Sequence, residues 1–157
     1  MGLFDKFRRS SEPKRDPLAP PPGAAAAQAL EIAQQTVRQL NALERVDLDF
    51  SPMSLSVVEQ ILDRCHARGM RSANQNNLVL GLGCYFGEVV RRHTRGQWIH
   101  HKDTPLAQLP QYPPGFLHLT VPVDDGDQFI NVFNKIVARL DGDRGTSVTG
   151  YYKMLTS

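Results

Sequence analysis

LVLGLGCYFGEVVRRH, residues 78–93, is the stretch on which the fold turns. Leu78, Val79, Leu80, Leu82, Tyr85, Phe86, Val89 and Val90 put apolar side chains on nearly every side of a helix. A helix apolar all round belongs in a core or a membrane. The run from Leu78 to Val90 is shorter than the roughly 17–25 residues that a bilayer span needs. It therefore reads as a central core helix, with a strand over Leu78–Leu82 as the competing reading of so short an apolar run.

Gly81, Gly83 and Gly87 lie inside it. Their spacing is one residue too long for the dinucleotide fingerprint, and the Lys-Ser/Thr pair of a phosphate-binding loop is missing. Close packing is the expected use. Gly83 and Gly87 are four apart and share a face, which is expected to receive a strand such as 116–121.

Working toward the N-terminus, residues 52–68 form a second helix opened by Ser51-Pro52, with a stripe of Leu55, Val58, Ile61, Leu62 and Cys65 and a stop at Gly69. Val46, Leu48 and Phe50 alternate with aspartates, which reads as a short strand or extended edge. Residues 24–42 lack Gly and Pro and carry Leu30, Ala33, Val37 and Leu40 at helical spacing. Toward the C-terminus, Gln97–His100 and 116–121 read as strands, and the prolines between them mark a loop over 103–115. Asp124–Asp127 is a turn, Phe129 to Leu140 a helix, and Val148 to Leu155 a final strand or helix. Helices and strands do not alternate regularly. The expected class is α+β: a few helices, one central and buried, packed on a small, mostly antiparallel sheet.

The 157 residues suit one domain; 41% are hydrophobic and 22% charged, and the net charge is +2. Disordered, collagen-like and disulfide-rich classes are excluded. Two cysteines, Cys65 and Cys84, make no disulfide framework, so free thiols in a reducing cytoplasm are expected. Residues 1–23 are proline-rich and basic and read as a disordered tail, leaving 24–157 as the domain. Within MGLFDKFRR, Leu3, Phe4 and Phe7 make an apolar stripe with Lys6, Arg8 and Arg9 around it. The segment reads as a frayed tail or as a short in-plane anchor docking a membrane or a partner.

Charge is uneven: between residues 64 and 102 seven Lys and Arg face Glu88 alone. Glu88, Arg91 and Arg92 share a helix face with i,i+3 and i,i+4 spacing. The carboxylate is either a solvated ion pair or, given its apolar neighbours, held inside near Tyr85 and Trp98. Tyr85, Glu88, Arg91, Arg92 and Trp98 are thus the candidate binding residues. Sparse stacking aromatics count against nucleic acid. The five histidines show no metal-ligand spacing, so neither metal nor cofactor is expected.

Leu82, Gly83, Tyr85, Gly87, Glu88, Val89, Arg91, Gly96 and Trp98 resemble the core of a family of small uncharacterised bacterial proteins, a domain of unknown function. That family carries a Leu-Gly-x-Tyr-x-Gly-Glu-Val helix followed by Gly-x-Trp. Residues 133–143 and Tyr151-Tyr152 are similar to its closing segment. The resemblance implies an α+β architecture and a bacterial source, and no chemistry. The functional expectation is a non-enzymatic cytoplasmic binding module whose partner is another protein. The alternative is a small enzyme using Glu88 or a histidine as general acid/base.

Overall fold

Alanine-rich sequence opens the described part of the chain. The computed structural model describes residues 24–100, 103, 117–123 and 126–157, with residue 24, 117–123 and 126–129 described by backbone alone. Helix α1 (Ala24–Glu44) buries Ala25, Ala29, Ile32, Ala33 and Leu40. The burial centre is rotated slightly from the expected stripe, leaving Leu30 and Val37 at its margin. Helix α2 (Ser54–Ala67) buries the whole expected stripe of Leu55, Val58, Ile61, Leu62 and Cys65. It stops at Gly69, whose φ of 86° suits a residue without Cβ.

A short 3₁₀ turn (Ser72–Asn74) leads into α3 (Asn76–Arg92), the helix of the decisive stretch. Every residue from Val79 to Val90 is buried. Helix α1 lies along α3 in the largest helix–helix contact of the molecule. Helices α4 (Asn134–Leu140) and α5 (Val148–Thr156) close over α2 and α3. Ser147 caps α5 by accepting the Gly150 N–H at 2.9 Å, and Gly142, at φ 104°, ends α4 where the His66 ring occupies the place of a Cβ.

The expected α+β class is corrected: the described residues are mostly helical, and the core they form lies among five helices rather than between helices and a sheet. Strand β1 (Gln97–His100) is the strand whose side chains are described. Its backbone runs antiparallel to β2 (Leu117–Val123), Gln97 opposite Thr120, and β2 to β3 (Gly126–Ile130). This ribbon is an attachment, not a platform. Among the described residues, Trp98 and Ile130 are its whole contribution to the buried apolar core.

Three local expectations change with it. Residues 46–50 keep the expected alternation of burial but have no strand partner among the described residues, and Arg45 and Phe50 turn to positive φ, 54° and 62°. Residues 126–130 are extended, so the helix expected from Phe129 begins at Asn134. The face of Gly83 and Gly87 meets Phe133, Val132 and, from strand β1, Trp98. The tail 1–23 and residues 104–116 lie outside the described residues.

Candidate functional site

Helix geometry sets Glu88, Arg91 and Arg92 side by side on the last turns of α3. Gly87 does the next step. A Cβ there would collide with the indole of Trp98, so its absence lets that ring settle against the helix. The indole Nε1 then donates to Glu88 Oε1 at 3.1 Å. Arg91 grips the carboxylate with a two-pronged fork, Nε to Oε1 at 2.7 Å and Nη2 to Oε2 at 2.8 Å. Arg92 Nε donates to Oε2 at 3.1 Å.

Each oxygen of Glu88 therefore accepts two hydrogen bonds, the full capacity of a carboxylate. Glu88 is 1% exposed. Of the two readings of this residue, the structure has the buried one. Burial pushes its pKa up, but the donors on Arg91, Trp98 and Arg92 outweigh that and leave it below the ordinary value. An anion with no vacant lone pair and a depressed pKa is poorly suited to exchange protons near neutral pH. Its chemical use is to hold two guanidinium groups.

Tyr85 joins the same assembly from one turn earlier. Fully buried, its hydroxyl accepts the Phe50 N–H at 2.9 Å and shares a hydrogen bond with Ser54 Oγ at 2.5 Å. The Phe50 ring lies tilted by 32° against Tyr85 with centroids 4.7 Å apart, and Arg92 Cζ lies 4.1 Å from the Phe50 centroid. An aromatic residue in the left-handed region costs about 1–2 kcal/mol; the Tyr85 bond and the Arg92 stack hold it there. Phe50 was not among the residues the sequence singled out. Its strained conformation leaves no trace in composition or periodicity.

All five candidate residues are thus contiguous through Phe50, but they differ in reach. Tyr85, Glu88 and Trp98 are buried and hold the assembly. Arg91 and Arg92 come to the surface, each with 37% of its side chain exposed. Beyond Arg92 the chain leaves the helix. His93 Nδ1 donates to the Val89 carbonyl at 2.8 Å and Thr94 Oγ1 to the Val90 carbonyl at 2.9 Å, so these helix-end carbonyls are covered. Arg92, His93, Thr94 and Arg95 form one wall of an open groove of about 440 Å³; Leu155, Thr156 and Ser157 of the C-terminal end form the other.

A second polar cluster was not visible in the sequence. Arg139 of α4 donates from Nε and Nη2 to both oxygens of Asp63, at 2.8 and 2.9 Å, and from Nη1 to the Thr146 carbonyl at 2.7 Å. Arg144 adds to Asp63 at 2.6 Å, and Glu59 accepts from Thr149 Oγ1 at 2.8 Å. The available signal was the i,i+4 pair Glu59 and Asp63 beside the α2 stripe, and Arg139 alone among apolar residues. Its bonds tie α4 and α5 to α2, a structural use.

His66 Nδ1 lies 2.9 Å from the Leu140 carbonyl. Among the described residues no group of three or more His, Cys, Asp or Glu converges as a metal site. Cys65 and Cys84 are buried free thiols. Burial, reinforced by the charge of Glu88, pushes the Cys84 thiol far above its usual range. A thiol reagent added to the native protein is expected to leave Cys84 unmodified until the chain is unfolded, as peptide mass mapping would check. Leu3, Phe4 and Phe7 lie outside the described residues.

Among the described residues no helix is long and apolar enough to cross a membrane. Compared with family models, curated proteins and solved structures, the chain matches none. The site therefore has to speak from its own geometry.

Proposed function

We propose that the chain is a non-enzymatic, cytoplasmic binding module whose partner-facing surface is the basic end of α3. The observation that carries this is the saturated, buried carboxylate of Glu88. Its four hydrogen bonds hold Arg91, Arg92 and Trp98 in fixed positions, and both arginines stay part-exposed. A guanidinium fixed before binding loses less entropy when it meets its ligand. Of the alternative, an enzyme using Glu88 or a histidine as general acid/base, the Glu88 form lacks a lone pair with which to take a proton. The partner is expected to be a protein rather than nucleic acid, because Tyr85 and Trp98 are buried and offer no stacking platform.

Affinity capture from the host lysate tests this with the full chain and an Arg95→Glu variant. Arg95 is exposed, so the variant should fold normally by circular dichroism and lose the partner. Unchanged capture by a folded Arg95→Glu chain would remove this surface from the proposal. The second element is docking of a bilayer by the N-terminal segment, which rests on the Leu3, Phe4 and Phe7 stripe. Sedimentation with anionic liposomes should fall when Phe4→Glu and Phe7→Glu are combined, and equal sedimentation would discard it.

A further inference from the structure

We propose that the groove between Arg92–Arg95 and Leu155–Ser157 receives an acidic peptide segment, its carboxylates pairing with the outer edges of Arg92 and Arg95. This rests on the binding-module reading and names the chemistry of the partner. The groove's lining residues are Arg92, His93, Thr94, Arg95, Leu155, Thr156 and Ser157, with no Asp or Glu side chain among them. The formal charge on these side chains comes from Arg92 and Arg95.

The donors are also placed for the task. Arg92 spends Nε on Glu88 and its Cζ lies over the Phe50 ring, which fixes the group and leaves its two Nη atoms as the remaining donors. Among the described residues no acceptor meets those Nη atoms or Arg95. A fixed planar edge with two parallel N–H groups matches a carboxylate in a two-pronged fork. The carbonyls at the end of α3 would repel an anion, but His93 and Thr94 cover those of Val89 and Val90. Leu155, half-buried on the opposite wall, supplies apolar contact of the kind an extended peptide offers between its acids. Nucleic acid would bring the charge, but among the described residues no Phe, Tyr or Trp lines the groove for its bases to stack on.

Fluorescence anisotropy with the full chain tests this, using a labelled peptide of alternating glutamate and leucine and its glutamine counterpart. The glutamate peptide should bind, more weakly as salt rises, and the glutamine peptide should not. Arg95→Glu should weaken binding about tenfold or more. Arg92→Gln should do the same, but it also loosens Glu88, so the Arg95 variant is the deciding one. Equal binding of both peptides, or binding indifferent to Arg95→Glu, would overturn the proposal. Tighter binding of an oligouridylate or of anionic vesicles than of the glutamate peptide would overturn it too, as would displacement of the peptide by millimolar inorganic phosphate. Should Arg95→Glu abolish capture from lysate while the glutamate peptide fails to bind, the binding module stands and the acidic-peptide assignment falls.

Discussion

Gly83→Leu is expected to destabilise the protein by more than about 3 kcal/mol, a large part of the 5–15 kcal/mol that holds a typical domain together. The reason is specific to one contact. A Cβ at Gly83 would fall within the ring of Phe133, which is fully buried at the entrance to α4. The ring cannot swing outward without opening the core between α3 and α4. Alanine brings about 1 kcal/mol of helix propensity relative to glycine, so Gly83→Ala should cost less, about 2 kcal/mol net. Combining Gly83→Ala with Phe133→Leu should cost measurably less than the sum of the two single changes, because the smaller side chain vacates the ring's place. Urea unfolding of the four proteins checks this. Additive costs would mean that the two residues do not compete for one space.

Glu88→Gln is expected to cost about 2 kcal/mol at neutral pH and to weaken partner capture as well. The usual penalty for breaking a buried ion pair is larger. Here the arginines left behind are part-exposed and recover some hydration. The amide keeps one acceptor oxygen and turns two donors toward Arg91 and Trp98, so at least two of the four hydrogen bonds must break. Because the folded-state pKa of Glu88 is depressed, its stabilisation is fully present above the unfolded value and is lost as pH falls through the folded one. The stability gap between the wild type and Glu88→Gln should therefore narrow on acidification. An unaltered melting temperature together with unaltered capture would defeat both halves of the reading.

The helices were legible where burial is periodic and local. The α2 stripe and the all-round apolarity of α3 are direct consequences of 3.6-residue geometry, and both are buried as read. What the sequence hides is which elements meet. Gly83 and Gly87 announce a close approach but not their partners, so Phe133 and Trp98 could not be named. The α+β expectation gave the strands equal weight with the helices, since a short apolar run reads the same whether it forms a core layer or an attached ribbon. Phe129, Ile130 and Phe133 fit a helical stripe by chance of spacing, while the backbone of 126–130 pairs with β2 and the helix starts only at Asn134.

At the site, Glu88, Arg91 and Arg92 are neighbours by helix geometry alone, and Trp98 follows within one short turn. That cluster was legible. Phe50 was not, because its role depends on contacts with Tyr85 and Arg92, 35 residues or more along the chain. Nor was the opposite groove wall, Leu155–Ser157, which only the docking of α5 brings near Arg95.

Glu88 is read here as a buried anion holding its arginines, not as a group poised to exchange protons. Titration of the Glu88 side-chain carboxyl by ¹³C NMR, in the native protein, tests it most directly. The midpoint is expected below the roughly 4.3 of an unperturbed glutamate, with the Trp98 indole N–H resonance shifting over the same pH range. A midpoint at or above that value would contradict the account.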